Sequence, residues 1–183
     1  SMATATSTLS LKSEPLRPLD KEGLGALAAK GKANPQSTVT LKAKTVCEGQ
    51  FRNMTYVRNL EPMLIDEPPH LLGEDNAPNP SEAVLACLGA CLSVGVHANA
   101  TAQGITLSRL ELELEGDINV TAVWGVGDLD PDKTLGFTDV RVKIHLDGDA
   151  TREQLEALVA HANVWSPVAN TLRNPVNVDV TLG

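Results

Sequence analysis

Two cysteines lie four residues apart in the longest apolar stretch of the chain, and they are the first candidates for chemistry. Cys87 and Cys91 stand in a run from residue 83 to 98 in which Ala, Gly, Val, Leu and Cys fill nearly every position. Residues four apart share one face of a helix, so the two thiols form a candidate redox or metal pair. The alternative is that Cys91 serves packing alone, because free cysteine is a small residue that proteins commonly bury.

Helical geometry limits what this pair can do. A disulfide between Cys87 and Cys91 within a regular helix would be strained. A zinc site is not expected, because His97 lies about 240° around the helix from Cys91 and no other Cys or His stands at ligand spacing. We therefore predict no metal and no cofactor. A single reactive thiol or a packing residue remains.

A reactive thiol needs a depressed pKa, which a neighbouring guanidinium can supply. Arg52 and Arg58 lie on predicted strands before the apolar helix, although each is more simply a solvated charge at a strand edge. Glu82 lies in the first turn of that helix, where a carboxylate favours the positive helix end. Glu82 could also hold an arginine through a bidentate ion pair. It lies roughly 13 Å from Cys91 along the helix axis, so a long side chain would have to link them.

Composition excludes several classes of function. The 183 residues carry 15 Lys and Arg against 23 Asp and Glu, a net charge of -8, and only five aromatic residues. Nucleic-acid binding is therefore not expected. No apolar run reaches the roughly 18 to 20 residues of a membrane span, and no signal peptide is visible, so we expect a cytoplasmic protein with reduced cysteines. Nucleophile-elbow, metalloprotease, P-loop and dinucleotide motifs are absent from the sequence.

The pattern of apolar residues predicts a polar tail over 1–18, a helix from Asp20 to about Lys30, and strands over 38–46, 51–58 and 61–66. A Pro- and Gly-containing loop over 66–80 leads to a helix over 81–103, which is capped by Asn79 and ended by Gly104. Strands are then predicted over 105–117 and 138–146, separated by a bend and a flexible excursion, and they are followed by helices after Thr151 and Ser166 and a last strand over 176–180. Helices and strands are segregated, which indicates an α+β fold with a largely antiparallel sheet. The helix over 81–103 lacks a polar face, so it should be buried all round, and a partner subunit is the simplest cover.

Two stretches of the chain resemble the OsmC/Ohr family (osmotically inducible protein C and its relatives). The first runs from Asp66-Glu67-Pro68-Pro69 through Leu72-Gly73-Glu74-Asp75 and Asn79-Pro80 to Cys91, and the second is Ser166-Pro167-Val168 with Asn174-Pro175-Val176-Asn177-Val178. The resemblance covers about residues 36–182. It divides the chain into a tail with a short helix over 1–35 and an OsmC-like domain over 36–183.

The resemblance implies an intertwined homodimer in which two long central helices pack between sheets. It also implies a thiol-dependent peroxidase that reduces organic hydroperoxides at the dimer interface, with an external thiol or dithiol as reductant. Cys91 falls at the place of the family's peroxidatic cysteine. Arg52 best matches the family arginine, and Arg58 is the runner-up. Peroxidatic members carry Glu directly after Asn-Pro, whereas Glu82 is one position later. A substrate pocket would be lined by four apolar side chains: Leu85, Leu88, Leu92 and Trp165.

One departure from the family pattern affects the mechanism. Members with two cysteines carry a resolving thiol in a Cys-Pro-Val-like motif, and this chain has Ser166 there. Serine cannot form the disulfide that protects a sulfenic acid. Cys91 would then be resolved by Cys87 as a secondary thiol, by Cys47, or by an outside thiol. The alternatives are an inactive relative that binds a small hydrophobic ligand in the interface pocket, or a purely structural dimer.

Overall fold

The structure is a computed structural model that describes residues 14–183. Most of the predicted N-terminal tail therefore lies outside the described residues. The elements, in chain order, are α1 (Lys21–Ala33), β1 (Lys44–Cys47), β2 (Asn53–Tyr56), β3 (Met63–Ile65), α2 (Pro80–Ala102), β4 (Leu107–Asn119), β5 (Gly136–Gly148), α3 (Arg152–Trp165) and α4 (Pro167–Arg173), with short 3₁₀ turns at Pro69–Leu71 and Val123–Gly125. Helices and antiparallel sheets are both present, which confirms the predicted α+β class.

The described chain divides into two compact units. The first unit comprises residues 14–28, 91–113 and 142–183, and the second comprises residues 29–90 and 114–141. Helices α1 and α2 and strands β4 and β5 each contribute residues to both units. Helices α3 and α4 lie wholly in the first unit, and strands β1, β2 and β3 lie wholly in the second.

Local signals begin and end helix α2 as the sequence predicts. At its start, Glu82 N donates to Asn79 Oδ1 (2.8 Å) and Asn79 N donates to Glu82 Oε1 (3.0 Å), a reciprocal capping pair. At its end, Gly104 adopts a φ of 72°, which a residue without a side chain adopts most readily. Gly104 N and Ile105 N then donate to the carbonyls of Thr101 and Ala100, which satisfies the last turn.

In the single chain this helix is only partly buried, and the predicted cover of the remainder by a partner subunit stays a prediction. One row of residues is buried, consisting of Leu88, Leu92, Val96 and Ala100. Val84, Cys87 and Val94 are exposed, because no element within residues 14–183 covers them. Helix α2 is long and apolar enough to span a membrane, contrary to the expectation that no apolar run of the chain reaches that length. The core helix of a soluble protein meets the same criteria of length and composition.

The strands form two separate sheets. In the second unit, antiparallel pairing places β2 between β1 and β3, with Thr45 opposite Thr55 and Met54 opposite Leu64. Strands β4 and β5 form a two-stranded sheet. Ion pairs cross it within each unit: Arg109 to Asp147 in the first, and Arg141 to Glu115 and Asp117 in the second. The two long alternating strands that the sequence predicts are therefore confirmed.

Two other predicted strands are wrong or incomplete. Strand β1 begins only at Lys44, so residues 38–43 are not part of it, and residues 176–180 form no strand. The apolar members of both segments are exposed: Val39, Leu41, Val176, Val178 and Val180. The alternating pattern is present in each segment, but the described chain offers no neighbouring strand to accept its backbone hydrogen bonds.

The remaining local predictions hold, with small shifts in boundary. Asp20 Oδ1 accepts a hydrogen bond from Glu22 N (3.1 Å) at the start of α1, which continues three residues beyond the predicted Lys30. Between β4 and β5 the chain bends as predicted, and Trp124 in this excursion packs against Phe51 with ring centroids 5.0 Å apart. Thr151 begins α3 with a capping box in which Gln154 N donates to Thr151 Oγ1 and Thr151 N donates to Gln154 Oε1.

Removing the cap of α3 should destabilise the fold measurably. Thr151→Ala leaves the first-turn N–H groups without their acceptor, which costs about 1 kcal/mol. In a chain of this size we expect a fall of about 2–4 °C in the melting temperature, measured by circular dichroism. Thr151→Ser keeps the hydroxyl and should melt close to the unaltered protein. Equal melting of Thr151→Ala and the unaltered protein would contradict the assigned cap.

Candidate functional site

The sulfur of Cys91 lies against the hydroxyl of Ser166. Cys91 stands in the middle of α2 and is partly exposed. Ser166 Oγ donates a hydrogen bond to Cys91 Sγ at 3.0 Å, and both residues belong to the first unit. The structure thus joins the predicted reactive thiol to the serine that stands in the Cys-Pro-Val-like position.

The junction between α3 and α4 positions this hydroxyl. Ser166 N donates to Ala162 O (2.9 Å) at the end of α3, and Ser166 Oγ accepts from Ala169 N (3.1 Å) at the start of α4. Helix α3 lies close to α2 because small residues face each other there: a side-chain carbon at Gly95 would lie 3.4 Å from Ala162 Cβ. Ser166 is 4% exposed, so its hydroxyl meets protein rather than water.

The predicted charged partners of the thiol have other contacts. Arg52 Nε donates to Glu48 Oε1 (2.8 Å), and Glu82 is engaged in the cap with Asn79. Arg58 is exposed in the turn after β2, in a left-handed conformation with a φ of 50°. The pairing of Cys91 with an arginine, and of that arginine with Glu82, therefore stays a prediction.

The four predicted pocket residues differ in exposure. Leu88 and Leu92 are buried, Leu85 is half-buried, and Trp165 is 70% exposed beside His161. The assignment of these side chains to a pocket stays a prediction. Of the other thiols, Cys87 is exposed, and exposed Cys47 donates weakly to Gln50 O (3.6 Å) in the turn after β1. Within residues 14–183, no group of His, Cys, Asp and Glu is arranged to hold a metal ion.

Sequence reasoning missed a buried carboxylate at the end of β3. Asp66 is 1% exposed, and its Oδ2 accepts a hydrogen bond from Asn76 N (3.1 Å), which holds together the loop that leads to α2. The backbone N–H groups of Asn76 and Glu67, with a smaller contribution from Arg52, lower the pKa of Asp66. Burial, together with the charges of Glu82 and Asp66, raises the pKa of Glu67. The sequence does contain a signal for this role, because Asp66 directly follows a strand and lies two residues before Pro-Pro. An Asp at the start of a loop commonly accepts hydrogen bonds from the N–H groups of that loop.

A cleft of about 540 Å³ lies in the first unit between β5 and α3. Its arginines have carboxylate partners, since Arg109 contacts Glu111 (3.1 Å) and Arg152 contacts Glu156 (3.0 Å). Because its positive charges already have partners, we assign no ligand to this cleft.

A family profile described as "OsmC-like protein" matches residues 73–181, which is more than half of the chain. This chain belongs to the OsmC-like protein family. The resemblance predicted from the sequence is therefore confirmed. A comparison with curated proteins gives no match.

Solved structures of OsmC-like proteins share the fold. The OsmC-like protein of Mycoplasma pneumoniae aligns with a TM-score of 0.63 at 17% identity, over 79% of this chain and 98% of its own. An OsmC-like protein of unknown function from Vibrio cholerae aligns with a TM-score of 0.59 at 16% identity, over 73% and 94%. The organic hydroperoxide resistance protein OsmC of Legionella pneumophila, described as a predicted redox protein, aligns with a TM-score of 0.54 at 25% identity, over 75% and 92%. These likenesses confirm the predicted OsmC-like fold, and at the level of the family the Legionella protein supports a role in peroxide resistance.

The buried carboxylate predicts an acid-sensitive component of stability. Because folding lowers the pKa of Asp66, its stabilising contribution is complete well above the usual value of 3.8 and is lost as the pH falls below it. We expect the free energy of unfolding in urea to fall less between pH 6 and pH 3 in Asp66→Asn than in the unaltered chain. Asp179→Asn, which removes the same charge near the C-terminus, is the control. Identical pH dependence in Asp66→Asn and the unaltered chain would contradict this role.

Proposed function

We propose that this OsmC-like protein is a thiol-dependent peroxidase that reduces organic hydroperoxides through Cys91. The observation that carries the proposal is the partly exposed Cys91 sulfur, which accepts a hydrogen bond from a buried hydroxyl in the middle of the long apolar helix. Hydrogen bonding to the charged form of a group favours that form, and the thiolate is the nucleophilic form of cysteine. Membership of the family and the name of the Legionella relative support the same reaction.

In the proposed reaction the Cys91 thiolate attacks the distal oxygen of the hydroperoxide. A sulfur–oxygen bond forms, the oxygen–oxygen bond breaks, and the alkoxide leaves as an alcohol after taking up a proton. The sulfur loses two electrons and becomes a sulfenic acid, and the peroxide gains them. The guanidinium of Arg52, or alternatively of Arg58, would stabilise the departing alkoxide. Glu82 would orient that guanidinium.

The return to the thiol requires two electrons from an outside reductant, and because Ser166 carries no sulfur we propose that an outside thiol also resolves the sulfenic acid. A thiol condenses with the sulfenic acid to give a mixed disulfide and water, and a second thiol displaces Cys91 as the free thiol. A dithiol supplies both groups in one molecule. The cycle consumes one hydroperoxide and two thiols and requires no metal or organic cofactor.

The active form that we propose is a cytoplasmic homodimer. The exposed apolar residues of α2 support this assembly, because a second copy would remove them from water. The exposed alternating segments 38–43 and 176–180 support it as well, since strands of a partner could pair with them.

Loss of the thiol should abolish turnover. We expect Cys91→Ser to show no consumption of cumene hydroperoxide above the uncatalysed rate, with dithiothreitol or a lipoylated protein as reductant and the loss of peroxide as the measurement. Cys47→Ser, which removes an exposed thiol of the second unit, is the matched control and should retain activity. Equal rates for Cys91→Ser and the unaltered protein would refute the proposal and favour a non-catalytic protein that binds a hydrophobic ligand.

A second prediction concerns assembly. Sedimentation equilibrium should give twice the chain mass of 19.4 kDa. Val94 is 66% exposed in the single chain, so Val94→Glu should leave folding of the chain intact and weaken association by burying a charge in the dimer. Val126→Glu, at an exposed apolar residue outside α2, is the control. A monomer at micromolar concentration in the unaltered protein would contradict the proposed dimer.

A further inference from the structure

We propose that Ser166 is a positioning residue whose donated hydrogen bond orients the Cys91 sulfur and favours its ionised form over its protonated form. This inference deepens the proposed function and rests on it for the peroxide step alone, because the state of the thiol can be measured without peroxide. The observation is the contact of Ser166 Oγ with Cys91 Sγ at 3.0 Å at a residue that is 4% exposed.

The hydrogen-bonding capacity of the hydroxyl allows it to donate to the sulfur while it accepts from the backbone. A serine hydroxyl has one proton to donate and lone pairs to accept. The accepting side is occupied by Ala169 N (3.1 Å), which caps α4. The single proton is directed at Cys91 Sγ, and within the described chain no buried polar side-chain atom is left without a partner. A thiolate is a much stronger acceptor than a neutral thiol, so the same hydrogen bond stabilises the ionised sulfur more than the protonated one.

The backbone around Ser166 is held by several bonds, so the hydroxyl has little freedom to turn away. Asn170 Nδ2 donates both to Ser166 O (2.8 Å) and to Val164 O (2.9 Å), which ties the last residues of α3 to the first turn of α4. Arg173 NH1 donates to Asn163 O (2.9 Å) across the same junction. A donor fixed by its surroundings loses little entropy when the sulfur ionises, which is the advantage of a preorganised site.

The competing explanation is that Ser166 only caps α4. The two roles separate by substitution. Ser166→Ala removes both the cap and the donated proton, whereas Ser166→Thr keeps both. Thr151→Ala removes a comparable cap from α3 and leaves the hydroxyl of Ser166 in place. If Ser166 only caps α4, Ser166→Ala and Thr151→Ala should change the reactivity of the Cys91 thiol to the same extent.

The test is the rate of alkylation of Cys91 by iodoacetamide as a function of pH. The parent protein carries Cys47→Ser and Cys87→Ser, so that Cys91 is the single thiol that reacts. In Ser166→Ala we expect the rate profile to shift to higher pH by about one unit, and the rate at neutral pH to fall about tenfold. Both changes are the effect of losing one hydrogen bond to a charged group. Ser166→Thr should restore the parent profile within about twofold.

The outcomes distinguish this inference from the proposed function. A profile that shifts in Ser166→Ala but not in Thr151→Ala supports the positioning role, even if no variant consumes peroxide. Superimposed profiles for the parent and Ser166→Ala would overturn it, even if the unaltered protein is an active peroxidase. A shift of equal size in Thr151→Ala would also overturn it, since loss of stability alone would then explain the change. A profile in Ser166→Thr that does not return to that of the parent counts against the inference. Circular dichroism at each pH shows whether a variant is folded, so that only folded proteins are compared.

Discussion

The middle of the long helix α2 is almost entirely apolar, since from residue 83 to 98 only Ser93 and His97 depart from Ala, Gly, Val, Leu and Cys. Removing this surface from water is the constraint on which the packing of the rest of the chain depends. Within residues 14–183, one row from Leu88 to Ala100 is covered, and Val84 and Val94 are not. Hydrophobic burial is the largest favourable contribution to folding, so an uncovered apolar face on a helix of 23 residues calls for a second surface. The same helix carries the site: Cys91 in its middle is only partly exposed, and a polar group of the protein is brought to its sulfur.

Ser166 brings that polar group without disturbing the packing. Its backbone N–H ends α3, and its hydroxyl both begins α4 and contacts the sulfur, so one small residue meets three requirements. Close approach of α3 to α2 at Gly95 and Ala162 sets the distance. The chemistry of the thiol thus depends on helix packing rather than on a mobile loop, which suits a group that must be held in one geometry.

Local signals were readable from the sequence, and long-range pairings were not. Asn79, Gly104 and Thr151 act within a few residues of themselves, so their capping roles could be predicted from spacing alone. Ser166 was recognised as a helix start, but its bond to Cys91 joins residues 75 apart and required the packing of α3 on α2. The segments 38–43 and 176–180 show the converse error: their alternation is typical of strands, but strand formation depends on a neighbour that the pattern does not specify. Glu82 takes part in the cap of α2, and its role as the partner of an arginine stays a prediction.

The identity of residue 166 also has an evolutionary consequence. Four of the six serine codons differ from a cysteine codon by a single nucleotide, and the side-chain oxygen of residue 166 lies within hydrogen-bonding distance of the sulfur on α2. In the proposed peroxidase, one such mutation would place a second thiol at this position, so that the sulfenic acid could close to an intramolecular disulfide before any outside reductant arrives. The reverse change would leave the sulfenic acid to be resolved by an outside thiol.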